Sequence, residues 1–342
     1  MPEILLKPRR PLTGPSRLRC RRGLFADIPE TLDELGSWDS VHLLHDDRLT
    51  GQAMALEASV HGLQRLPHVG GETSKCLAEI ESLALRLLEQ RATRRSLLIV
   101  LGGGTLCDLG GFLASIFLRG IDCLLVPSTV LAMADAAVGG KNGVDLIDYK
   151  NILGTIRQPE AVLIDPELLE SLPNIHFREG LVEIVKAAMI LESASFDWIE
   201  ENLDRVLRRE TAAVDEAIWT GVRLKAEVVR DDELEADRRL LLNFGHTIGH
   251  ALETASDFDV SHGQAVAIGM PIEMRMARAQ ETARLIGIID RLGFGDLEMP
   301  FSAAALWKAM QNDKKRTQGA IRVAVPRRIG VGKVSEVTLQ DL

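Results

Sequence analysis

Short apolar runs alternate with amphipathic segments over the first half of the chain. Four of these runs have the length of strands and are bounded by turn signals: 41–44, 97–101, 123–126 and 161–164. Runs of this kind are typical of strands buried on both faces of a parallel sheet. Between the first two, residues 72–91 repeat apolar side chains at helical spacing, which predicts an amphipathic helix. Strands that alternate with helices predict a parallel sheet with crossover connections.

The pattern changes near residue 170, after which helical periodicity dominates. The segments predicted as helices are 179–191, 196–207, 211–229, 249–254 and 263–286. A short strand over residues 320–325 is predicted after a basic loop. The chain is therefore predicted to have an α/β fold, with a Rossmann-like parallel-sheet domain over residues 1–170 and a mostly helical domain over residues 171–342.

Composition narrows the class of protein. The 342 residues suffice for two domains that each bury a core, and 46% hydrophobic residues is far too many for a disordered chain. The net charge of −9 argues against sequence-independent nucleic-acid binding, although it leaves room for local basic pockets around a phosphorylated metabolite. The apolar runs are too short to span a bilayer, and no secretory signal is evident. Four cysteines without CxxC spacing are typical of reduced thiols, so we expect a cytoplasmic enzyme with no membrane or nucleic-acid partner.

A glycine-rich turn follows the predicted strand 97–101. Gly102, Gly103 and Gly104 precede a predicted helix, an arrangement in which backbone N–H groups and a helix N-terminus can hold a phosphate. The dinucleotide fingerprint is imperfect, because Cys107 stands where its third glycine is expected. Spacing nominates Asp122 as the acid that would bind the ribose. A tight strand-to-helix turn without a ligand is the alternative interpretation.

A group of histidines suggests a metal centre. Three of the eight histidines fall between residues 246 and 262, and Glu183 offers a carboxylate in GLVEIVK. Zn²⁺ accepts imidazole and carboxylate ligands and keeps an open position in catalytic sites. His246 and His250 are four residues apart and share one helical face, so spacing alone favours them as the ligand pair.

Cationic and amide side chains near glycines would supply donors for phosphate or carboxylate groups. Taken one at a time, each of them is more often a solvated surface residue. These residues are Arg119, Lys141, Lys150, Asn151, Lys186, Lys225, Arg239, Asn243, Lys314 and Lys315.

The motifs together resemble one known family. They include GGGTLCDLGGF, FLRG, VPSTVLAMADAAVGGKNGV, YKNILG and QPEAVLID, followed by GLVEIVK, RLKAEVV, RRLLLNFGHTIGHALE, SHGQAVAIGM and DKK. In this order, from about Asp46 to Lys315, the chain resembles the 3-dehydroquinate synthases of the sugar-phosphate cyclase superfamily. The resemblance implies an NAD- and metal-dependent carbon–oxygen lyase of the shikimate pathway, with zinc or cobalt, that acts as a homodimer. Its reaction converts 3-deoxy-D-arabino-heptulosonate 7-phosphate to 3-dehydroquinate and phosphate by transient oxidation, phosphate elimination, reduction and aldol closure.

The resemblance also implies roles for individual residues. The implied metal ligands are Glu183, His246 and His262, with His250 beside the substrate instead of on the metal. The implied NAD residues are Asp46, Glu72, Lys75, Gly103, Gly104, Asp108, Ser128, Thr129, Asp135, Lys141 and Lys150, so that Asp46 replaces Asp122 as the ribose acid. The implied catalytic and substrate-contacting residues are Lys141, Asn151, Lys186, Lys225, Arg239, Asn243, His250 and Lys314, together with Arg119, which in the family reaches the phosphate from the partner subunit.

Departures from the family pattern keep alternatives open. Cys107 replaces a glycine, Arg48 stands where a small polar residue is usual, and Gln264 replaces a glutamate next to the third ligand. One alternative is a sibling cyclase of secondary metabolism that makes an aminodehydroquinate, a valiolone or a deoxy-inosose. A more distant one is a metal- and NAD-dependent polyol dehydrogenase, and a non-catalytic binding protein is the last.

Overall fold

The computed structural model describes residues 15–147, 149–256, 259–279, 282–295, 306–307, 310, 316–317 and 320–342. The chain divides into two compact units. The sheet unit comprises the residues up to 127 together with 140–165, and the helical unit comprises 128–139 together with 166–342. The division thus falls at residue 165 instead of 170. Residues 128–139 also belong to the helical unit, because the π-helical turn Ala132–Ala136 packs against the helices Asn174–Leu191 and Thr211–Asp231 of that unit.

The described residues of the sheet unit include six strands of one parallel sheet: β1 (Arg17–Cys20), β2 (Ser40–Asp46), β3 (Gln64–His68), β4 (Ser96–Gly102), β5 (Asp122–Pro127) and β8 (Ala161–Ile164). Their order across the sheet is β1-β8-β5-β4-β2-β3. The four strands predicted from apolar runs are confirmed as β2, β4, β5 and β8. The two edge strands, β1 and β3, were not predicted because RLRC and QRLPH contain no apolar run. An edge strand needs fewer apolar side chains, since it has a neighbour on one side alone.

The described part of the sheet unit also contains four helices and a hairpin. The helices are α1 (Ile28–Leu35), α2 (Thr50–Ser59), α3 (Leu77–Glu89) and α4 (Gly104–Ile116), and the hairpin pairs β6 (Lys141–Leu146) with β7 (Tyr149–Ile156). The helix predicted over 72–91 is shorter than expected, because a 3₁₀ turn, Glu72–Ser74, occupies its first residues. Lys75 leaves helical geometry (φ −80°, ψ 61°) and separates this turn from α3.

Helix α4 packs unusually close to strand β4. A Cβ placed on Gly110 would lie 2.5 Å from Cγ2 of Val100 and 3.2 Å from Leu44, so an unsubstituted glycine is needed at this contact. Residues Leu97 to Leu101 of β4 are fully buried. Only Gly103 separates the carboxyl end of β4 from the first residue of α4. The glycine-rich turn therefore lies at the N-terminus of a helix that is packed against the strand.

The helical unit contains six helices and a small antiparallel sheet in its described residues. The helices are α5 (Asn174–Leu191), α6 (Ser193–Leu207), α7 (Thr211–Asp231), α8 (His246–Ala255), α9 (His262–Met276) and α10 (Thr282–Arg291), and the sheet has the order β11 (Val331–Val337), β10 (Ala320–Arg328), β9 (Arg316–Thr317). The helix predicted over 263–286 is instead the two helices α9 and α10. Arg278 takes a left-handed conformation (φ 51°), which ends α9 in the usual manner of a helix C-terminus. None of the helices in the described part of the chain has the length and apolar character needed to cross a membrane.

Substitution of Gly110 by alanine should lower the free energy of unfolding by about 1–3 kcal/mol, because the added methyl group overpacks the contact between α4 and β4. The matched control is Gly51→Ala in helix α2 of the same unit, where a Cβ would meet no atom within 4 Å. That variant should be neutral or more stable by up to about 1 kcal/mol, since alanine is the better helix former. Urea unfolding of both variants tests the pair, and equal midpoints would contradict the packing argument.

Candidate active site

Three helices of the helical unit bring a carboxylate and two imidazoles together. Glu183 lies on α5, and His246 and His262 are the first residues of α8 and α9. Oε1 of Glu183 is 3.8 Å from Nε2 of His246 and 3.6 Å from Nε2 of His262. One ligand atom from each of the three residues lies within 4.8 Å of the other two. This spacing suits a single ion with ligands at about 2.0–2.2 Å.

Hydrogen bonds cap the starts of the two helices that carry these histidines. Gly245 precedes α8 in a left-handed conformation (φ 79°), and its N–H donates to Glu273 of α9 at 2.7 Å. Glu273 also accepts the N–H of Ile248 at 3.0 Å, so one buried carboxylate caps α8 from the neighbouring helix. Ser261 and Gln264 form a capping box at the start of α9. Both imidazoles therefore project from capped helix termini.

The buried charges set the protonation states of this group. Burial opposes the charge of Glu183, but Lys186, His246 and His262 together outweigh burial and hold the pKa of the carboxyl well below its usual range. Burial, together with Lys186, lowers the pKa of His246 well below its usual value. Although burial disfavours a charged ring, the facing carboxylates of Glu183 and Glu253 raise the pKa of His262 to about 10. An ionised carboxylate and a neutral imidazole are the forms that bind a metal, and an ion at His262 would displace its proton.

The donor set fits a divalent metal. Oε1 of Glu183 is fully buried and forms no hydrogen bond with the described residues, which is costly unless a ligand satisfies it. Oε2 of the same carboxylate accepts a hydrogen bond from Lys186, so the two oxygens have separate surroundings. Two imidazoles and one carboxylate oxygen form a set of ligands typical of catalytic zinc. Glu183, His246 and His262 could therefore hold one ion.

His250 belongs to a second group of donors. Its ring lies 5.3 Å from that of His246, centroid to centroid, in an edge-on arrangement. One ligand atom each of His250, Glu253 and His262 lies within 4.8 Å of the other two. The structure thus brings the HxxxH histidines close, but it groups His246 with Glu183 and groups His250 with Glu253. The pairing that spacing alone favours has less geometric support than the set implied by the resemblance.

Buried cations and a further acid, Asp135, belong to the same unit as this three-donor group. Lys225 donates to Asp135, 2.6 Å from Oδ1 and 2.7 Å from the carbonyl oxygen. Burial opposes the charge of Asp135, but Lys225 and then Lys186 outweigh it and lower the pKa of the carboxyl. The guanidinium of Arg239 is buried and donates to the carbonyls of Gly139 and Glu233. Desolvated cations of this kind bind phosphate or carboxylate groups of a ligand strongly.

Asn243 and the residues just before Asp135 are neighbours in the sequence of the residues described above. Asn243 ends a 3₁₀ turn and donates to Glu235 at 2.9 Å. The hydroxyl of Thr129 accepts the N–H of Ala132 at the start of the turn that carries Asp135. Ser128, which precedes Thr129, is buried in the helical unit. Residues expected to bind NAD are thus divided between the two units.

In the sheet unit, a second set of expected residues surrounds the start of α4. Gly103 caps this helix and Gly104 is its first residue. The Lys75 ammonium donates to Asp108 at 2.6 Å and to Oδ1 of Asn151 at 2.5 Å. Burial opposes its charge, but Asp108 and then Glu72 outweigh burial and raise the pKa of Lys75. Four of the residues that the resemblance implies for NAD therefore cluster at a helix N-terminus, a common site for phosphate groups.

Other contacts hold this cluster in place. Glu72 accepts from the Thr105 hydroxyl at 2.8 Å and lies 3.3 Å from the Lys150 ammonium. Cys107 is buried, and its thiol points to the carbonyl oxygen of Gly102 at 3.8 Å. Because burial raises the pKa of the Cys107 thiol, this group is neutral. The substitution at position 107 is therefore accommodated inside the first turn of α4.

The two candidate ribose acids lie at opposite ends of the parallel strands. Asp46 ends strand β2, in register with the carboxyl end of β4, where the glycine-rich turn begins. Asp122 begins strand β5, and its carboxylate accepts from the Trp38 indole at 2.7 Å. Because β4 and β5 are parallel, the amino end of β5 is remote from the glycine-rich turn at the carboxyl end of β4. Position therefore favours Asp46 over the residue that spacing nominated.

Asp46 is engaged by a neighbour that the family pattern does not include. The Arg48 guanidinium donates from Nε to Oδ1 at 2.8 Å and from Nη2 to Oδ2 at 2.6 Å. Burial opposes the charge of Asp46, but the hydrogen bonds from Arg48 outweigh it and lower the pKa of the carboxyl. The side chain of Arg48 is 71% exposed and that of Asp46 only 7%. Both oxygens that would face a ribose are thus held by an arginine at the surface.

The remaining expected residues are exposed or lie outside the described residues. Arg119 is exposed in a left-handed conformation (φ 71°), and Lys141 is exposed at the start of β6, both in the sheet unit. Lys314 and Lys315 lie outside the residues that the structure describes. Sequence reasoning missed Glu253, although its position three residues after His250 places both on one helical face, a signal that could have found it.

Comparison with known proteins identifies the family. Residues 66–179 match the family domain described as 3-dehydroquinate synthase N-terminal, and residues 180–316 match the 3-dehydroquinate synthase C-terminal domain. The chain belongs to the 3-dehydroquinate synthase family. It is 44% identical over 268 residues to the 3-dehydroquinate synthase of Solibacter usitatus, covering 76% of this chain and 75% of that one. The enzyme of Saccharolobus solfataricus is 37% identical over 288 residues, covering 81% of each chain.

Solved structures show the same fold in other cyclases. The chain aligns with 2-epi-5-epi-valiolone synthase from Streptomyces hygroscopicus, which has NAD⁺ and Zn²⁺ bound, with a TM-score of 0.87 at 24% identity over 100% of this chain and 97% of that one. It aligns with a 2-deoxy-scyllo-inosose synthase in complex with carbaglucose-6-phosphate, NAD⁺ and Co²⁺, with a TM-score of 0.86 at 24% identity over 95% of each chain. The chain thus shares its fold with synthases that are named for other products.

Replacing His246 by alanine should abolish metal retention, whereas His250→Ala should keep the metal, because His246 belongs to the three-donor group with Glu183 and His262. Bound metal per chain, measured by elemental analysis after dialysis from zinc buffer, tests this. Circular dichroism of both variants controls for folding. Equal loss of metal in the two variants would instead support the pair expected from HxxxH spacing.

Proposed function

We propose that this chain is a 3-dehydroquinate synthase that converts 3-deoxy-D-arabino-heptulosonate 7-phosphate to 3-dehydroquinate and phosphate. The observation that carries the proposal is the three-donor group of Glu183, His246 and His262 beside buried cations, in a chain that is 44% identical to a curated enzyme of this activity. Its place would be the shikimate pathway, which leads to the aromatic amino acids. The reaction begins and ends with the same redox state of the cofactor.

The cofactors would be NAD and one divalent metal, zinc or cobalt. When bound, the metal would act as a Lewis acid on substrate oxygens, and NAD would take up and return one hydride. Glu183, His246 and His262 would hold the metal. The residues that would hold NAD are Asp46, Glu72, Lys75, Gly103, Gly104, Asp108, Ser128, Thr129, Asp135, Lys141 and Lys150.

The buried cations would bind and orient the substrate. Lys186, Lys225 and Arg239 are each at most 8% exposed, so their attraction for the anionic groups of the substrate is little screened. His250 is half-buried and lies beside the three-donor group. It is therefore placed to move a proton to or from a substrate oxygen. Asn151, Asn243, Lys141 and Lys314 would supply further donors to the substrate.

Assembly and location follow from the same assignment. We expect a homodimer in the cytoplasm, in which Arg119 of one subunit reaches the phosphate bound by its partner. The exposed position of Arg119 is compatible with this role. The partners of the chain would then be a small sugar phosphate and a second copy, with neither nucleic acid nor membrane involved.

A sibling cyclase is the second candidate. The fold is shared with valiolone and inosose synthases, so architecture does not separate the activities. Retention of Lys225, Asn243 and Lys314 favours 3-dehydroquinate synthase over a valiolone-type enzyme, which tends to lose these positions. The polyol dehydrogenase alternative has weaker support, since a probable glycerol dehydrogenase from Sinorhizobium meliloti aligns with a TM-score of 0.66 at 16% identity, over 87% of this chain and 90% of that one.

The decisive experiment measures inorganic phosphate release from 3-deoxy-D-arabino-heptulosonate 7-phosphate with NAD and Zn²⁺ or Co²⁺ present. We expect release that requires both cofactors, is abolished by a chelator and yields 3-dehydroquinate by mass spectrometry. Absorbance at the NADH band should show no net accumulation, which separates a cyclase from a dehydrogenase. No release from folded, metal-loaded protein would contradict the assignment and direct the assay to sibling sugar phosphates.

Arg48→Asn should tighten NAD binding by up to about fivefold, because the ribose would no longer displace an ion pair worth up to about 1 kcal/mol. Arg95→Asn is the matched control, since its side chain is equally exposed (71%) in the same unit and faces Asp39 at 3.7 Å. Isothermal titration with NAD and NADP measures both variants. If wild-type protein instead binds NADP as tightly as NAD and Arg48→Asn loses NADP alone, Arg48 is a 2′-phosphate ligand and not a competitor for Asp46.

A further inference from the structure

A buried carboxylate faces His262 from the side opposite Glu183. Glu253 lies on α8, and its side chain is only 2% exposed. Its Oε1 is 3.4 Å from Nδ1 of His262, while Nε2 of the same ring is 3.6 Å from Oε1 of Glu183. The imidazole of His262 therefore lies between two carboxylates, one at each ring nitrogen. A carboxylate so deeply buried is stable only with close polar partners.

This arrangement has a definite consequence for a metal ligand. An imidazole that binds a metal through Nε2 carries its proton on Nδ1, and the group that accepts that proton fixes both the tautomer and the ring orientation. His246 shows the same requirement met by the backbone, since its Nδ1 lies 3.2 Å from the carbonyl oxygen of Phe244. For His262 the group at Nδ1 is a side chain.

Gln264 does not serve this purpose, although it stands where the family has a glutamate. Its Oε1 accepts the N–H of Ser261 at 3.3 Å, and its own N–H donates to the Ser261 hydroxyl at 3.5 Å. The amide thus belongs to the capping box of α9. Gln264 therefore stabilises the start of α9, and the carboxylate next to Nδ1 of His262 is that of Glu253 on α8.

We propose that Glu253 is a positioning residue for the metal ligand His262, accepting the Nδ1 proton so that Nε2 is presented to the metal beside Glu183. The proposal rests on the metal site of the proposed function, but not on its substrate or reaction. Glu253 does not touch the metal or the substrate, and it acts through His262. Removal of its charge should therefore weaken metal binding while leaving all three ligands in place.

The test is Co²⁺ binding to the apoprotein, followed by visible absorption and by competition with a chelator. Glu253→Gln keeps the side-chain volume and should weaken the metal by about 10–100-fold, the usual cost of losing such a partner. The ligand-field spectrum of the bound Co²⁺ should change, because the ring of His262 is no longer held in one orientation. Glu253→Ala removes every acceptor and should lose at least as much affinity.

Gln264→Ala is the matched control, since it alters the start of the same helix without touching Nδ1 of His262. It should lower the unfolding midpoint through the lost capping box and leave the Co²⁺ affinity and spectrum unchanged. Thermal unfolding of each apoprotein separates folding from metal binding.

Three results would overturn the inference. Unchanged Co²⁺ affinity and spectrum in both Glu253 variants, with lower apoprotein stability alone, would make Glu253 purely structural. Two Co²⁺ ions per wild-type chain, one of them lost on Glu253→Gln, would make it a ligand in the group with His250. Failure of wild-type protein to bind Co²⁺ would show that the three donors do not form a metal site. If Co²⁺ binding behaves as expected but no phosphate is released from the substrate, only the proposed reaction is contradicted.

Discussion

The closeness of α8 to α9 is the constraint on which the candidate metal site depends. A Cβ on Gly269 would lie 2.1 Å from the carbonyl oxygen of Gly245, and one on Gly249 would lie 3.3 Å from the backbone of Ala265. Larger side chains at these glycines would separate the helices. Because each helix begins with a histidine, the close crossing sets the two rings 5.2 Å apart, centroid to centroid. The ligand geometry is therefore a property of backbone packing before any metal binds.

Charge balance is the second requirement, and it explains why so many ionisable groups are buried together. A buried ion pair contributes little net stability, but loss of one partner leaves an uncompensated charge and is strongly destabilising. Glu183 with Lys186 is a buried pair of this kind, and the buried Lys225 pairs with the partly exposed Asp135. A fold selected for stability alone would replace such pairs with apolar side chains. Their retention in the interior is better explained by a ligand that needs both the acids and the bases.

Much of this organisation could be predicted from the sequence, and the failures have physical causes. The central strands were predicted because they are apolar throughout, whereas the hairpin Lys141–Leu146 with Tyr149–Ile156 was missed because its pattern is mixed and interrupted by glycine. The candidate ligands are dispersed over about 80 positions, and residue spacing can compare only neighbours on one helix. Spacing therefore favoured His250 over Glu183 and His262, and motif resemblance was needed to name the three-donor set. The glycine contacts between helices have no local signature at all.

The three departures from the family pattern have different surroundings and therefore different consequences for the candidate site. The Cys107 thiol points to the carbonyl oxygen of Gly102 at the start of α4, and the Gln264 amide completes a capping box at the start of α9. Neither side chain removes a donor from the clusters that would hold the cofactors. Arg48 is different, because it occupies both oxygens of Asp46 while remaining mostly exposed. A ribose must compete with that guanidinium, so divergence of this chain within its family is expected to appear in the strength or selectivity of dinucleotide binding before it appears in the metal chemistry.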